Sequence, residues 1–180
     1  QIKKQCFACL GNHDQESSAV QQRTIRELHQ LGIVVLRDDA VVYESRIGAV
    51  QIVGYDYCDY RYGARGEKMK HVLSKHACPE PCRNRRIVLL HDPGAFKEFA
   101  GDEGLVVFSG HTHGGHVGFV LGCVNFTLLN WVTGLPDNGL WRKGANKMYV
   151  HRGQGSRALM GNYVIRCGVP TEQAYVRVCW

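Results

Sequence analysis

Three strand-length apolar runs in this chain each end on a histidine-bearing motif flanked by glycine or proline, and this pattern constrains the fold most. Cys-Phe-Ala-Cys-Leu, at 6–10, runs into Gly11-Asn12-His13-Asp14. Arg-Ile-Val-Leu-Leu, at 86–90, runs into His91-Asp92-Pro93. Leu-Val-Val-Phe-Ser, at 105–109, runs into Gly110-His111-Thr112-His113-Gly114-Gly115. Continuous branched-apolar runs suit strands buried on both faces of an α/β sheet. Ligands of open α/β sheets bind beyond the carboxyl ends of the strands, so three such strands would bring their histidines to a single rim. His111 and His113, two apart in an extended loop, fall on the same side. The glycines allow sharp turns and keep side chains clear of an anion. Four histidines and an asparagine at one rim suit a divalent ion such as Mn²⁺, Fe²⁺ or Zn²⁺.

The remaining sequence alternates strands with helices. Ser18 and Gln21 resemble a capping box opening a helix to about Leu31, with Val20, Thr24, Leu28 and Leu31 on one face and Gly32 as its stop. Residues 32–36, 41–43 and 49–54 are predicted strands, and Glu67 to His76 a second helix with Met69, Val72, Leu73 and His76 on one stripe. Gln173 to Val178 alternates and is predicted as a last strand, while 78–86 is the nearest approach to a linker. No repeat or low-complexity stretch interrupts the 180 residues, so one α/β domain is expected over 1–180.

Composition narrows the function classes. Hydrophobic residues at 44% and charged residues at 21% exclude disorder. No apolar run approaches the roughly 18 residues of a membrane helix, and no signal peptide opens the sequence at Gln1. Lysine plus arginine exceeds aspartate plus glutamate by 22 − 16 = 6, too modest an excess to diagnose a nucleic-acid binder. The eight cysteines are too scattered for a disulfide scaffold, which leans toward a reducing, cytoplasmic setting. Cys6 and Cys9 form a CxxC, but on a strand an offset of three turns the thiols to opposite faces.

Gly-Asn-His-Asp at 11–14, His91 after its strand and Gly-His-Thr-His-Gly-Gly at 110–115 resemble the calcineurin-like metallophosphoesterase family. The later Gly-Leu-Trp-Arg-Lys-Gly-Ala-Asn-Lys-Met-Tyr-Val-His-Arg-Gly-Gln-Gly-Ser and Val-Pro-Thr-Glu-Gln-Ala-Tyr-Val-Arg-Val are similar to its YkuE-like branch. The resemblance implies a sandwich of mixed β-sheets flanked by helices and a two-metal hydrolase of phosphoesters. It implies Asn12, His91 and His111 as ligands of one metal and His113 of the other. His13 would stand beside the scissile phosphate, with Asp14 orienting it through the other ring nitrogen. His116, where the family commonly has glutamine, and Arg152 are candidate substrate contacts.

The sequence also departs from that family. Its Asp-x-His and Gly-Asp motifs, which supply most first-metal ligands and a bridging carboxylate, do not lie upstream of Asn12. Gly101-Asp102 comes in the wrong order to replace them. The domain is therefore expected to lack its amino-terminal strands, with metal affinity and catalysis impaired and one metal, or none, retained.

Other residues have plainer readings. His29, His71 and His76 belong to predicted helices; His151 beside the Arg-Gly-Gln-Gly-Ser loop is a weaker site candidate, as is Arg157. Arg83, Arg85 and Arg86 read as a solvated face, and Tyr55, Tyr57, Tyr60 and Tyr62 as a loop packing on its own rings. Three function classes follow: a metallophosphoesterase acting on a phosphorylated small molecule or lipid-linked substrate, a noncatalytic fragment of that fold, and a basic nucleic-acid module built on the tyrosines.

Overall fold

Valine and isoleucine runs build the centre of the molecule, whose computed structural model describes residues 5–59, 65–121, 124–155 and 166–180. The strands are β1 (Cys6–Ala8), β2 (Ile33–Val35), β3 (Asp39–Ser45), β4 (Gly48–Tyr55), β5 (Arg86–Leu90), β6 (Val106–Ser109), β7 (Gly118–Leu121), β8 (Val124–Thr127), β9 (Gly139–Lys143) and β10 (Asn146–Val150). The helices are α1 (Ser18–Gln30), α2 (Arg65–Lys75) and α3 (Leu128–Thr133). Six strands form a mixed sheet in the order β3-β4-β5-β6-β10-β9. Its four central strands run parallel, and β3 and β9 close the two edges antiparallel. The architecture is thus mixed α/β.

One face of this sheet carries the core. Val53, Tyr55, Val88, Leu90, Val107, Met148 and Val150 pack against Met69, Val72 and Leu73 of α2 and against Phe96 and Phe99. Each such side chain contributes about 1.5–3 kcal/mol on burial. The α2 stripe follows helical spacing, and three of its four expected members, Met69, Val72 and Leu73, are buried. On the opposite face Ile87, Leu89, Val106 and Phe108 are only half-buried.

Several expectations are corrected. β1 does not join the main sheet: it pairs in parallel with β2 as a separate two-stranded ribbon. The cap of α1 is Ser17, whose hydroxyl accepts from the Val20 amide, one residue earlier than expected. No residue of α1 is buried, and Val20 and Leu31 are exposed, so its apolar spacing does not mark a core face. Residues 173–178 form no strand, because alternation makes a strand only where a partner edge exists, and Tyr175 stands in solvent. The 78–86 segment is no linker: it carries a 3-10 turn and seats Cys82 fully buried. Tyr55 is core, its hydroxyl donating to the Met69 carbonyl, which dismantles the four-tyrosine platform; Tyr60 and Tyr62 lie outside the described residues. Among the described residues no helix is long and apolar enough to cross a membrane.

Candidate active site

Parallel pairing of β5 and β6 sets His91 and the 110–115 loop side by side at the same end of the sheet. The His91 carbonyl is fixed from β6 by the Gly110 amide at 3.2 Å and the Ser109 hydroxyl at 3.0 Å. The third motif arrives from the β1 ribbon, tied in by the Tyr57 amide donating to the Leu10 carbonyl. Gly11 is required there: a Cβ on it would stand 2.6 Å from a His91 ring carbon. Gly115 is required too, since its φ of +77° is unfavourable for other residues and its Cβ would meet Asp137 at 2.6 Å.

These elements enclose a cavity of about 510 Å³ lined by Asn12, His13, His91, His111, His113 and His116. His91 Nε2 lies 2.9 Å from Asn12 Oδ1 and 3.0 Å from His111 Nδ1, so an amide oxygen and a second ring nitrogen both meet it. Burial first, then the neighbouring His111 ring, push the His91 pKa down to about 4, which leaves its imidazole neutral near pH 7. His113 turns Nδ1 to the Gly155 carbonyl at 3.1 Å and stacks on His116 with ring centroids 5.1 Å apart. His111, His113 and His116 all have positive φ, at 70°, 53° and 61°. Such backbone strain in non-glycine residues gathers at functional sites.

Two expected side chains act elsewhere. Asp14 does not take the other ring nitrogen of His13; its carboxylate accepts from the Gly11 amide at 2.8 Å, and Glu16 meets His13 Nδ1 instead. Arg152 does not line the cavity; it lies against the Glu172 carboxylate with its side chain largely buried. His151 likewise engages locally, accepting from the Gly153 amide, and Arg157 lies outside the described residues. Of the CxxC pair, Cys9 resists becoming a thiolate near pH 7, since burial and then nearby Asp56 push its thiol up to about 11.

The cavity also holds residues that sequence reasoning passed over. Arg65, at the start of α2, is buried, donates to Asp92 at 2.8 Å and to the Gly94 carbonyl at 2.9 Å, and lies 3.7 Å from Glu98. It clamps the turn that carries His91. Tyr57 packs its ring on both His91 and His111, with centroids 5.9 and 5.8 Å away. Lys97 adds a cation to the rim. Nothing in the sequence signalled these roles, because the contacts depend on which helix and loop cover which strand.

Bonds of about 2.0–2.2 Å at the right angles of an octahedral shell place neighbouring donors about 3 Å apart, and Asn12 Oδ1 and His111 Nδ1 each lie that far from His91 Nε2, a separation that a hydrogen bond also gives. None of the three is a carboxylate. Among the described residues no group of three or more His, Cys, Asp or Glu side chains is placed to hold a metal. The described residues therefore show no complete metal site, and Asn12, His91 and His111 offer at most part of the shell of one ion.

Comparison with curated proteins finds 29% identity over 113 residues with the "Uncharacterized metallophosphoesterase YkoQ" of Bacillus subtilis (strain 168). The match covers 62% of this chain and 38% of that protein, so the chain aligns with well under half of its length. No family model matches, and neither does any solved structure. The similarity bears on metallophosphoesterases in general and not on one branch of them.

Proposed function

We infer that the cavity is the site of a divalent-metal-dependent phosphoester hydrolase of calcineurin-like type, held on one domain over 1–180. The observation that carries this reading is the approach of Asn12 Oδ1 and His111 Nδ1 to within 3.0 Å of His91 Nε2, with His13 on the wall of the same cavity. The similarity to a metallophosphoesterase supports it. In the parent architecture a second sheet would complete a sandwich over the half-buried Ile87–Phe108 face.

Asn12, His91 and His111 would hold one ion. Bound there, it would polarise a phosphoryl oxygen and lower the pKa of a coordinated water. His91 suits this role because its ring stays neutral and offers a lone pair. His13 has Nδ1 engaged by Glu16, so Nε2 is the atom that can give a proton to a departing oxygen. Glu16 takes the orienting role expected of Asp14. Lys97 supplies positive charge at the rim, whereas Arg65 is neutralised by Asp92 and Glu98 and acts by positioning.

Hydrolysis of p-nitrophenyl phosphate and its bis ester in Mn²⁺ tests this. The expected result is chelator-sensitive turnover that falls about 10²–10⁴-fold in His13→Ala, the range of general acid catalysis. Saturable Mn²⁺ binding without turnover, or turnover indifferent to chelator, sinks the hydrolase reading.

A further inference from the structure

The residues from Val117 to Pro136 contain no Asp, Glu, Lys, Arg or His. The described ones among them form the antiparallel pair β7–β8, α3 and the turn after it. α3 presents two apolar faces. Leu129 and Thr133, one helical turn apart, line the histidine cavity, joined there by Leu135. Leu128, Trp131 and Val132 lie on the outside, Trp131 at 73% and Val132 at 67% exposure. The Phe126 ring lies 6.5 Å from Trp131 and 5.5 Å from Phe119, so the outer surface continues from the helix onto the hairpin. The wall that borders the histidines is thus the inner side of an exposed, charge-free apolar surface.

Contiguous apolar patches of this kind mark an interaction surface rather than ordinary exposure. Its chemistry favours one occupant. Exposed tryptophan and phenylalanine on a short helix and hairpin without charges match segments that lie in a lipid headgroup layer. A protein partner would be met by a polar rim of hydrogen bonds, for which the outer residues of α3 have almost nothing to offer. The +6 net charge and Lys97 at the cavity complement an anionic surface. Because cavity and patch share α3, a phosphate in such a layer would lie beside His13 and His91.

We propose that this surface seats on an anionic phospholipid layer and that the cavity receives the phosphate of a lipid headgroup. The headgroup half rests on the hydrolase reading above; the docking half does not. The test is sedimentation of the whole chain with vesicles of phosphatidylcholine alone and of phosphatidylcholine mixed with phosphatidylglycerol, with tryptophan emission recorded. The mixed vesicles carry the protein down, emission shifts to the blue, and part of the binding survives high salt. Trp131→Ser with Val132→Ser weakens vesicle binding about ten-fold or more. If that variant melts early, Leu121→Ser, at another exposed position, carries the same comparison.

Absence of binding to either vesicle, loss of all binding in high salt, or equal binding by the variants overturns the proposal. So does a dimer in size-exclusion chromatography that Trp131→Ser disperses, because a second copy would then cover the patch. Vesicle binding without hydrolysis removes the enzyme and keeps the surface; hydrolysis of soluble esters without vesicle binding does the reverse.

Discussion

His91 is the residue on which most of the site depends, and its environment makes a measurable demand. The unfolded chain takes up a proton on this ring near pH 6.5, whereas the folded chain refuses it down to about 4. Stability is therefore complete above pH 6.5 and declines as pH falls from there toward 4. One ring with a shift of this size contributes on the order of 3 kcal/mol across that window. Urea unfolding in chelator between pH 7 and pH 4 measures it, and a His91→Asn chain should lose this slope. Gly11 offers a second test at the same point. Gly11→Ala drives a methyl group into the His91 ring, so the ring must shift or the two-stranded ribbon must lift. A destabilisation of about 1–3 kcal/mol is expected, as for overpacking elsewhere, together with loss of Mn²⁺ affinity. Unchanged Mn²⁺ titration in the variant would show that the ring does not need its present place.

At the scale of elements, α2 does two things at once. Its Met69-Val72-Leu73 stripe covers the sheet, and its first residue, Arg65, reaches the turn after β5. Arg65→Met removes the partner of a largely buried Asp92, which costs about 3–5 kcal/mol in comparable pairs. Arg65→Lys should recover only part of it, since ammonium cannot replace both guanidinium bonds. Chemical denaturation of both variants decides this, and equal stability of Met and Lys would remove the clamp. α2 and its stripe were legible because helical spacing is local. The β7–β8 hairpin was not, because its residues are glycine-rich and carry no clear alternation at that length. The end of the chain misled in the other direction, with an alternating pattern that pairs with no strand among the described residues.

For the molecule as a whole, an ion that binds the folded state alone must raise its stability. Free Mn²⁺ at about 100 times its dissociation constant should stabilise the chain by about 2.7 kcal/mol, and His91→Ala should abolish the gain. A melting temperature indifferent to Mn²⁺ in the parent chain would show that Asn12, His91 and His111 hold no ion of consequence.

What the sequence determined by itself was local. Apolar runs of strand length, the glycines beyond them, the α2 stripe and the identity of the histidines are properties of neighbouring residues, and they point to a rim without any knowledge of the fold. The tertiary structure alone decided which groups serve them. It placed the first strand in its own ribbon, gave His13 to Glu16 rather than Asp14, took Arg152 to Glu172, and brought Arg65 and Tyr57 to the cavity. The reason is physical: backbone periodicity depends on residues within a turn or two, whereas a hydrogen-bond or ion-pair partner depends on which distant segment burial has brought within about 3 Å.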